Sequence, residues 1–370
     1  MASDSQSSGL RRERTLASAQ FRDGKFHNTG DITPGIKRGH GLSMAREMIC
    51  GNRRRVPVAP LPSVLPFDDW RHPPESGLRA TWLGHSTSLI EIDGARLLLD
   101  PVWGERVSPL SWAGPKRFQP APVAIDQLPK LDAVLISHDH YDHLDYPTIV
   151  ELAKLDVPFY TSLGVGAHLE GWGVAPERIT ELDWWESVQL KHGIELTAAP
   201  AQHFSGRGML DRNRTLWSAF ALRGPDHAVF FSGDTGLTED YTTIARKLGT
   251  FDLVMLEVGA YFEAWGDVHL GPDGAVEAFK LLGSADAAFL PVHWGMFNLA
   301  FHDWDQPAER LLQLAPKHDI PLLMPKLGAA VEPAHTDGVD PWWRAITALE
   351  LPAPKPETPA TFQPLPDPID

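Results

Sequence analysis

Cysteine is nearly absent from this 370-residue sequence, basic residues are outnumbered, and no apolar run is long enough to cross a membrane. The single cysteine, Cys50, excludes an internal disulfide framework and is typical of a reducing compartment. The 33 Lys and Arg residues face 48 Asp and Glu residues, and the net charge of −15 argues against a nucleic-acid-binding surface. The N-terminus also lacks the apolar core of a signal peptide. We therefore predict a cytoplasmic protein with no transmembrane segment and no nucleic-acid partner. Peripheral contact with a membrane and the oligomeric state stay open.

Six consecutive residues that begin at His138 and read His-Asp-His-Tyr-Asp-His contain three imidazoles and two carboxylates. They directly follow Ala133–Ile136, a short apolar run that predicts a buried strand. A rigid sheet can aim the side chains of such a loop at one point. His138 and His140 can bind one metal ion, and Asp142 and His143 can reach a second. Zinc suits these ligands, with iron or manganese as alternatives at one position.

Four ligands cannot fill the shells of two metal ions, so further ligands must come from later strands. The sequence repeats a pattern of apolar strand, ligand-type residue and glycine, and His203, Asp234 and His293 occupy the ligand position. Each has an ordinary explanation on its own, because a strand-end Asp often caps a helix and a lone His is commonly structural. Together they complete the set that the first stretch requires.

The chain divides into three parts by composition and punctuation. These are an N-terminal extension at 1–77, a core domain at 78–350 and a Pro-rich C-terminal tail at 351–370. We expect the extension to be partly irregular and to wrap the core, with its polar first twenty residues mobile. The core domain opens with a strand at Leu78 and a hairpin whose turn is Asp93-Gly94.

A long loop without periodicity runs from Pro101 to Gln127, and loops of this length in compact domains are usually functional. It carries Lys116 and Arg117, a compact basic spot in an acidic protein. Charge-assisted hydrogen bonds from such side chains suit a phosphate, so we predict that both bind the substrate. The alternative is that they only solvate the loop.

Several segments resemble the metallo-β-lactamase-fold hydrolases, and most closely the N-acyl-phosphatidylethanolamine-hydrolysing phospholipase D family and its bacterial relatives. They are TWLGHSTSLIEID, LLLDPVWGERVSP, GPKRF, LDAVLISHDHYDHLDYPTI, ELDWWE, PAQHFSGRG, FSGDTG and PVHWGMF. The histidine-rich motif is widespread in the superfamily, whereas GPKRF, DYPT and PAQHF favour the phospholipase branch. The resemblance implies an α/β fold, the αβ/βα sandwich, in which two mixed β-sheets are flanked by helices.

The resemblance also implies how the ligands divide between two zinc ions. One ion would be held by His138, His140 and His203, the other by Asp142, His143 and His293, and both by Asp234. His269 matches a family histidine near the substrate pocket, which makes it, with Asp142, a candidate catalytic residue. Its structural alternative is a histidine at a helix start. The sequence departs from many relatives at Gly328-Ala329, where those have Gly-Glu, and its N-terminal third shows little match.

The expected activity is that of a binuclear zinc-dependent phosphodiesterase of the phospholipase D type, acting on an N-acyl-phosphatidylethanolamine-like phospholipid. Two metal ions about 3.5–4 Å apart bind a bridging water and lower its pKa, which gives hydroxide at neutral pH. The alternatives are a lactonase or other esterase acting on a small phosphorylated substrate, a nuclease, and a non-catalytic metal-binding protein. Net acidity argues against the nuclease, and the complete ligand set against the non-catalytic protein. A long apolar groove over the ligands would favour a lipid, and a small polar pocket a sugar phosphate.

Overall fold

The computed structural model describes residues 2–350, with gaps at 33, 34, 36, 38, 42, 43, 45, 48–50, 52, 209, 336 and 337. The Pro-rich tail and Cys50 lie outside the described residues. The helices of the described part are α1 Ala2–Ala17, α2 Phe67–Trp70, α3 Tyr146–Leu152, α4 Gly166–Gly171, α5 Asp240–Leu248, α6 Gly271–Leu281, α7 Gln306–Leu314 and α8 Trp343–Glu350. None of these helices combines the length and the apolar character that a bilayer crossing requires.

The strands form two large sheets and one small hairpin. The strands are β1 Phe21–Arg22, β2 Lys25–Phe26, β3 Leu78–Gly84, β4 Thr87–Ile92, β5 Ala95–Leu99, β6 Ala133–Ile136, β7 Phe159–Ser162, β8 Ile179–Leu182, β9 Ser187–Gln189, β10 Glu195–Ala199, β11 Ala219–Arg223, β12 Ala228–Phe231, β13 Leu253–Glu257, β14 Ala288–Val292 and β15 Ala330–Val331. Sheet I has seven strands in the order β15-β3-β4-β5-β6-β7-β8, and sheet II has six in the order β14-β13-β12-β11-β10-β9.

Both large sheets are mixed. In sheet I, β15, β3, β4 and β5 are antiparallel neighbours, and β5 to β8 run parallel. In sheet II, β12, β13 and β14 run parallel, and β9 to β12 are antiparallel neighbours. The two mixed sheets with helices packed on them confirm the predicted αβ/βα sandwich.

The core follows from the two-residue alternation of strand side chains. On β5, Leu97 and Leu99 belong to one large cluster with sheet II residues such as Leu196 and Phe220. Leu98, between them, faces the opposite way and packs with the residues of α3 and α4. Because sheet I is covered on both faces, β6 is apolar and buried at every position, and β5 is buried at all positions except Arg96. Each fully buried Leu contributes about 1.5–3 kcal/mol relative to an exposed one.

The strand directions also bring the chemistry to one place. β3, β5 and β6 end at the same edge of sheet I, and β10, β12, β13 and β14 end at the same edge of sheet II. The loops that leave these ends carry the histidines and carboxylates singled out in the sequence. We call this side of the sandwich the metal edge.

The expectation that the first twenty residues are mobile was wrong, because Ala2–Ala17 form a helix that docks on the core. Arg11 of that helix donates to Glu170 and Glu181 of the core domain, each at 2.6 Å, and its side chain is 12% exposed. Arg14 pairs with Glu186. The polar composition concealed this helix because its partners are carboxylates far away in the sequence, which no local periodicity reveals.

Candidate metal centre

The loop after β6 is held rigidly at both ends. The strand is fully buried, and Asp145 caps α3 by accepting a hydrogen bond from the backbone N–H of Thr148. Between them, the backbone N–H groups of His143 and Leu144 donate to the carbonyl of His140 and form a tight turn. Strand, turn and capped helix together fix the directions of the histidine side chains.

A first donor group joins this loop to sheet II. It consists of His138, His140, His203 and Asp234, whose ligand atoms all lie within 4.8 Å of one another. Nε2 of His138 lies 2.9 Å from Nδ1 of His140, and Nε2 of His203 lies 3.2 Å from the same atom. The sequence predicted all four residues, and the structure brings them together.

A second donor group lies beside the first. It consists of His85, Asp142, His143 and His293, again with ligand atoms within 4.8 Å of one another. Oδ2 of Asp142 is 3.1 Å from Nε2 of His85, 3.2 Å from Nε2 of His293 and 3.6 Å from Nε2 of His143. His85 is the member that the sequence analysis did not assign. The available signal in the sequence was the break after the first strand, at Gly84-His85. In the structure His85 has a φ of 56°, a conformation that a non-glycine residue adopts only when its surroundings impose it.

Asp234 lies between the two groups. Its Oδ1 is 3.1 Å from Nε2 of His143, and its Oδ2 is 3.2 Å from Nε2 of His293 and 3.7 Å from Nε2 of His203. This placement agrees with the bridging position that the resemblance implies.

Buried hydrogen bonds orient the donors from behind. Asp100, at the end of β5, accepts from Nδ1 of His143 at 2.7 Å and from the hydroxyl of Ser137 at 2.6 Å. Nδ1 of His203 lies 2.9 Å from the carbonyl oxygen of Val268. A hydrogen bond at Nδ1 leaves Nε2 as the ligand atom, and such outer partners tune a metal site. Asp100 was not among the predicted residues, although it occupies the same strand-end position as the predicted ligands.

The two groups differ in their electrostatics. Burial lowers the pKa of His138, His140 and His203 in the first group. In the second group burial alone would also lower the pKa of His293, but Asp234, Asp142 and Glu257 outweigh it and raise that pKa to about 10. Asp234, Asp142 and Asp100 likewise raise the pKa of His143 well above its usual value. In the same group burial, with His293, lowers the pKa of His85 to about 3, so the carboxylates favour the charged form of His143 and His293 only.

The donor atoms fit a metal ion. Nε2 of His143 and Oδ1 of Asp234, which lie 3.1 Å apart, are both buried without a hydrogen-bond partner in the described part of the chain. An unsatisfied buried polar atom costs roughly 1–3 kcal/mol, so a fold tolerates several together only where a ligand satisfies them. Imidazole and carboxylate are the donors that zinc, iron and manganese accept.

A wide groove lies beside the donor groups, and His269, whose ring is 5.1 Å from that of His203, is part of its lining. Its volume is about 920 Å³. The aromatic wall is formed by Tyr261, Phe262, Trp265 and Phe301, and the charged residues of the lining are Lys37, Arg46, Glu47, Arg53, Glu263 and Asp267. Lys37 pairs with Asp267 at 2.8 Å, and Arg53 pairs with Glu47 at 3.1 Å. The groove is therefore large, partly aromatic and lined by both signs of charge.

His269 is held by a buried carboxylate that the sequence analysis also missed. Nδ1 of His269 lies 3.1 and 3.2 Å from the two oxygens of Glu257, the last residue of β13. Burial lowers the pKa of His269, but Glu257 outweighs it and the net shift is upward. Glu257 is itself a strand-end residue, which was the available signal.

The predicted substrate residues Lys116 and Arg117 lie elsewhere. Lys116 is exposed and pairs with Glu105 at 2.8 Å. Arg117 is buried, donates to the carbonyl of Val102 at 2.8 Å and lies over the ring of Phe297 at 5.2 Å. Burial lowers its pKa to about 10. Among the described residues, the groove lining includes neither, so substrate binding by this pair stays a prediction.

Comparison with known sequences agrees with this geometry. The β-lactamase superfamily domain profile matches residues 95–294. An uncharacterized protein of Mycobacterium tuberculosis H37Rv is 44% identical over 330 residues, 88% of either chain. The N-acyl-phosphatidylethanolamine-hydrolyzing phospholipase D 1 of Caenorhabditis elegans is 38% identical over 252 residues, which are 65% of this chain and 70% of the relative.

Solved structures agree on the fold. The isothiocyanate hydrolase from Delia radicum gut bacteria has a TM-score of 0.55 at 20% identity and covers 69% of this chain and 98% of its own. Igni18, a metallo hydrolase of Ignicoccus hospitalis, has a TM-score of 0.53 at 20% identity and covers 69% of this chain and 97% of its own. At this identity the likeness concerns the fold alone. With the profile match and the relatives, it shows that the chain belongs to the β-lactamase superfamily, as a metal-dependent hydrolase of the metallo-β-lactamase fold.

Proposed function

We propose that this hydrolase is a binuclear zinc phosphodiesterase of the phospholipase D type that cleaves an N-acyl-phosphatidylethanolamine-like phospholipid. The observation that carries the proposal is a large groove with an aromatic wall and charged residues beside two adjoining His/Asp donor groups. His269 lines this groove, and its ring lies 5.1 Å from the ring of His203 and 5.5 Å from that of His293. The names of two relatives, from Caenorhabditis elegans and Saccharomyces cerevisiae, point to the same substrate class. We further propose a cytoplasmic location, with peripheral contact at the membrane that holds the substrate.

The donor residues would divide as the resemblance implies. His138, His140 and His203 would hold one ion, Asp142, His143 and His293 the other, and Asp234 would contact both. When bound, two zinc ions lower the pKa of water and neutralise charge on a phosphoryl group. Asp100 keeps His143 oriented toward Asp234 through its 2.7 Å hydrogen bond, which holds that donor in place before substrate arrives.

The groove would position the rest of the substrate. Phe262 and Trp265 offer apolar surface to an acyl chain, and Arg46 and Arg53 offer positive charge to a headgroup phosphate. His269 lines the groove, and the edge of its ring opposite Glu257 can hydrogen-bond the phosphodiester. Most of the donor side chains are nearly fully buried, so bulk solvent has little access to them.

The size of the groove favours this reading over a lactonase acting on a sugar phosphate, for which a small polar pocket would suffice. The test compares specificity constants for long- and short-chain phosphodiesters and a sugar-phosphate lactone, together with metal analysis. We expect two zinc equivalents per chain, the phosphodiesters preferred over the lactone, and a rise of about fourfold for each methylene buried.

A wall variant makes the test specific. Trp265→Ala should weaken the chain-length dependence while turnover of the short substrate stays near wild type. Trp185→Ala is the matched control, because Trp185 is also half-buried but lies over Lys247 at 4.0 Å rather than in the groove. Preference for the lactone, or a chain-length dependence that Trp265→Ala leaves intact, would contradict the proposed substrate.

A further inference from the structure

Glu257 is a buried carboxylate that belongs to neither donor group described above, although its ligand-type atoms and those of Asp234, His269 and His293 lie within 4.8 Å of one another. It is completely buried at the end of β13. Its Oε1 accepts the backbone N–H groups of Leu270 at 2.9 Å and Thr235 at 3.2 Å, and both of its oxygens approach Nδ1 of His269. Burying a carboxylate costs several kcal/mol unless hydrogen bonds compensate it. A neutral side chain would serve the two amides at lower cost, so the charge serves the imidazoles beside it, and of these only His269 lies at hydrogen-bond distance.

The surroundings of Glu257 connect the groove to the donor groups. Thr235 directly follows Asp234 in the chain. Oε2 of Glu257 lies 3.6 Å from Nδ1 of His293, which is beyond hydrogen-bond distance. The ring of His269 lies 5.1 Å from the ring of His203 and 5.5 Å from that of His293. Glu257 therefore binds the groove-facing imidazole and only approaches the donor imidazole.

The geometry of His269 follows from this contact. Its Nδ1 edge is occupied by Glu257 on the buried side, so the Nε2 edge is left for the groove that His269 lines. A carboxylate at Nδ1 also favours the tautomer with the proton on Nδ1 and the lone pair on Nε2. Glu257 therefore sets both the orientation and the tautomer of the His269 imidazole.

We propose that Glu257 is a positioning residue that acts through His269: it fixes the ring and its Nδ1-protonated tautomer so that Nε2 faces the substrate in the groove. The inference rests on the proposed function in so far as His269 contacts the substrate. It adds the residue that gives this histidine its direction, which neither the histidine-rich motif nor the ligand set contains.

The test uses Glu257→Gln in the full chain, which keeps an oxygen for the two amides and removes the charge. We expect kcat for a phosphodiester such as bis(p-nitrophenyl) phosphate to fall roughly tenfold or more. KM and the metal content per chain should stay near wild type. His269→Ala should lower kcat at least as far, and Glu257→Gln combined with His269→Ala should cause no further loss, because residues that act as a unit are not additive.

A matched control separates positioning from general stability. Glu91→Gln also removes a buried carboxylate, one that pairs with Arg79 and Arg96 away from the metal edge. It should lower the unfolding temperature and leave kcat unchanged. If Glu257→Gln behaves like Glu91→Gln, Glu257 only anchors the start of α6 and the proposal is wrong. If metal content falls together with kcat, Glu257 acts through His293 instead, which also overturns it.

A second measurement does not depend on turnover. Ring nitrogen spectra of 15N-histidine-labelled protein, with the His269 signals assigned by their loss in His269→Ala, report the tautomer directly. We expect the Nδ1-protonated form in wild type and a mixture in Glu257→Gln. An unchanged tautomer contradicts the proposal even if the wild-type protein cleaves none of the esters, whereas a changed tautomer with no ester cleavage leaves Glu257 standing and refutes the proposed function.

Discussion

The sandwich places an Asp–His contact at each of its two edges, and the two contacts do different work. At the edge opposite the metal centre, Asp93 of the β4–β5 turn accepts from Nδ1 of His227 at 2.6 Å and from the backbone N–H groups of Asp226 and His227. We call these three residues the clasp, because they join a hairpin of sheet I to a hairpin of sheet II. At the metal edge, Asp234 approaches four imidazoles.

The two carboxylates differ in how completely their oxygens are hydrogen-bonded. Each oxygen of the Asp93 carboxylate accepts a hydrogen bond from the other hairpin, so this carboxylate holds the two sheets together. Asp234 and its neighbours keep buried atoms without partners in the described structure. The same residue types therefore stabilise the fold where their geometry closes, and leave binding capacity where it stays open.

Several residues of the metal edge have a strained backbone. At the metal edge His85, Asp100 and His293 have φ values of 56°, 37° and 66°. Such conformations cost of order 1–3 kcal/mol each and persist only where the surroundings impose them. At the clasp Asp93 has a φ of 48°, but it is the first turn residue of an Asp-Gly hairpin, where this conformation is favoured. The metal edge thus combines strain and unsatisfied polarity, which is typical of a functional site.

The largest expected effect comes from Asp234→Asn, which removes the carboxylate shared by both donor groups. We expect turnover to fall by more than about 10²-fold and bound metal to be lost from both positions, because even outer partners of a metal site are worth 10–100-fold. Metal analysis and kcat on the same preparation check this. Asp93→Asn is the control with the same chemical change at the clasp, and it should keep metal and activity. Normal metal content in Asp234→Asn would show that the bridging assignment is wrong.

Asp142→Asn should have a smaller effect on metal content, because Asp142 belongs to the second donor group alone. We expect bound metal to fall to about half of the wild-type value while turnover is abolished. Elemental analysis of the purified variant distinguishes this outcome from loss at both positions. Equal loss of metal in Asp142→Asn and Asp234→Asn would contradict the assignment of Asp142 to the second donor group alone.

Rising pH should lower the stability of the metal-free protein and strengthen its binding of metal. In the metal-free protein the pKa of His293 is raised to about 10, so its protonated form stabilises the fold fully below the unfolded histidine pKa of about 6.5. This contribution is lost as pH rises toward 10. Metal must displace the same proton, so its binding should strengthen by up to about tenfold per pH unit over that interval. Calorimetric titrations in buffers of different ionisation enthalpy, with thermal melts of the metal-free protein, measure both trends. Metal affinity independent of pH between 6.5 and 9 would contradict this assignment.

The smallest effect is expected at the clasp. Asp93→Asn should destabilise the protein by about 1–2 kcal/mol and leave kcat unchanged, because it weakens hydrogen bonds to a charged acceptor far from the groove. The partners of Asp93, His227 foremost, outweigh burial and lower its pKa, so its contribution is present above the unfolded Asp pKa of about 3.9 and disappears as pH falls through the folded value. Denaturant unfolding at pH 7 and at pH 3 tests both statements. A stability difference that persists unchanged in acid would exclude the charge of Asp93 as its source.

Much of the centre could be read from the sequence because its chemistry is local. The six residues from His138 follow an apolar strand, and His203, Asp234 and His293 follow later strands. His203, Asp234 and His293 follow strands of sheet II that end at one edge, so their proximity could be expected from strand direction. The meeting of this edge with the loop after β6 of sheet I depends on how the two sheets pack. The Asp93-Gly94 turn was equally local, since a two-residue hairpin of this type needs only residues that tolerate positive φ.

What the sequence could not determine were pairings between residues that only tertiary packing brings together. The contact between His85 and Asp142 spans 57 residues, and that between Arg11 and Glu181 spans 170. Arg117 was predicted to bind phosphate from its charge and loop position, but its orientation depends on the carbonyl of Val102 and the ring of Phe297. Residue type and strand-end position specify which atoms can bind a metal. Three-dimensional hydrogen-bond geometry decides which of the remaining charged residues stabilise the fold and which can face a substrate. The reason is that the free energy of a buried charge depends on the partners that surround it.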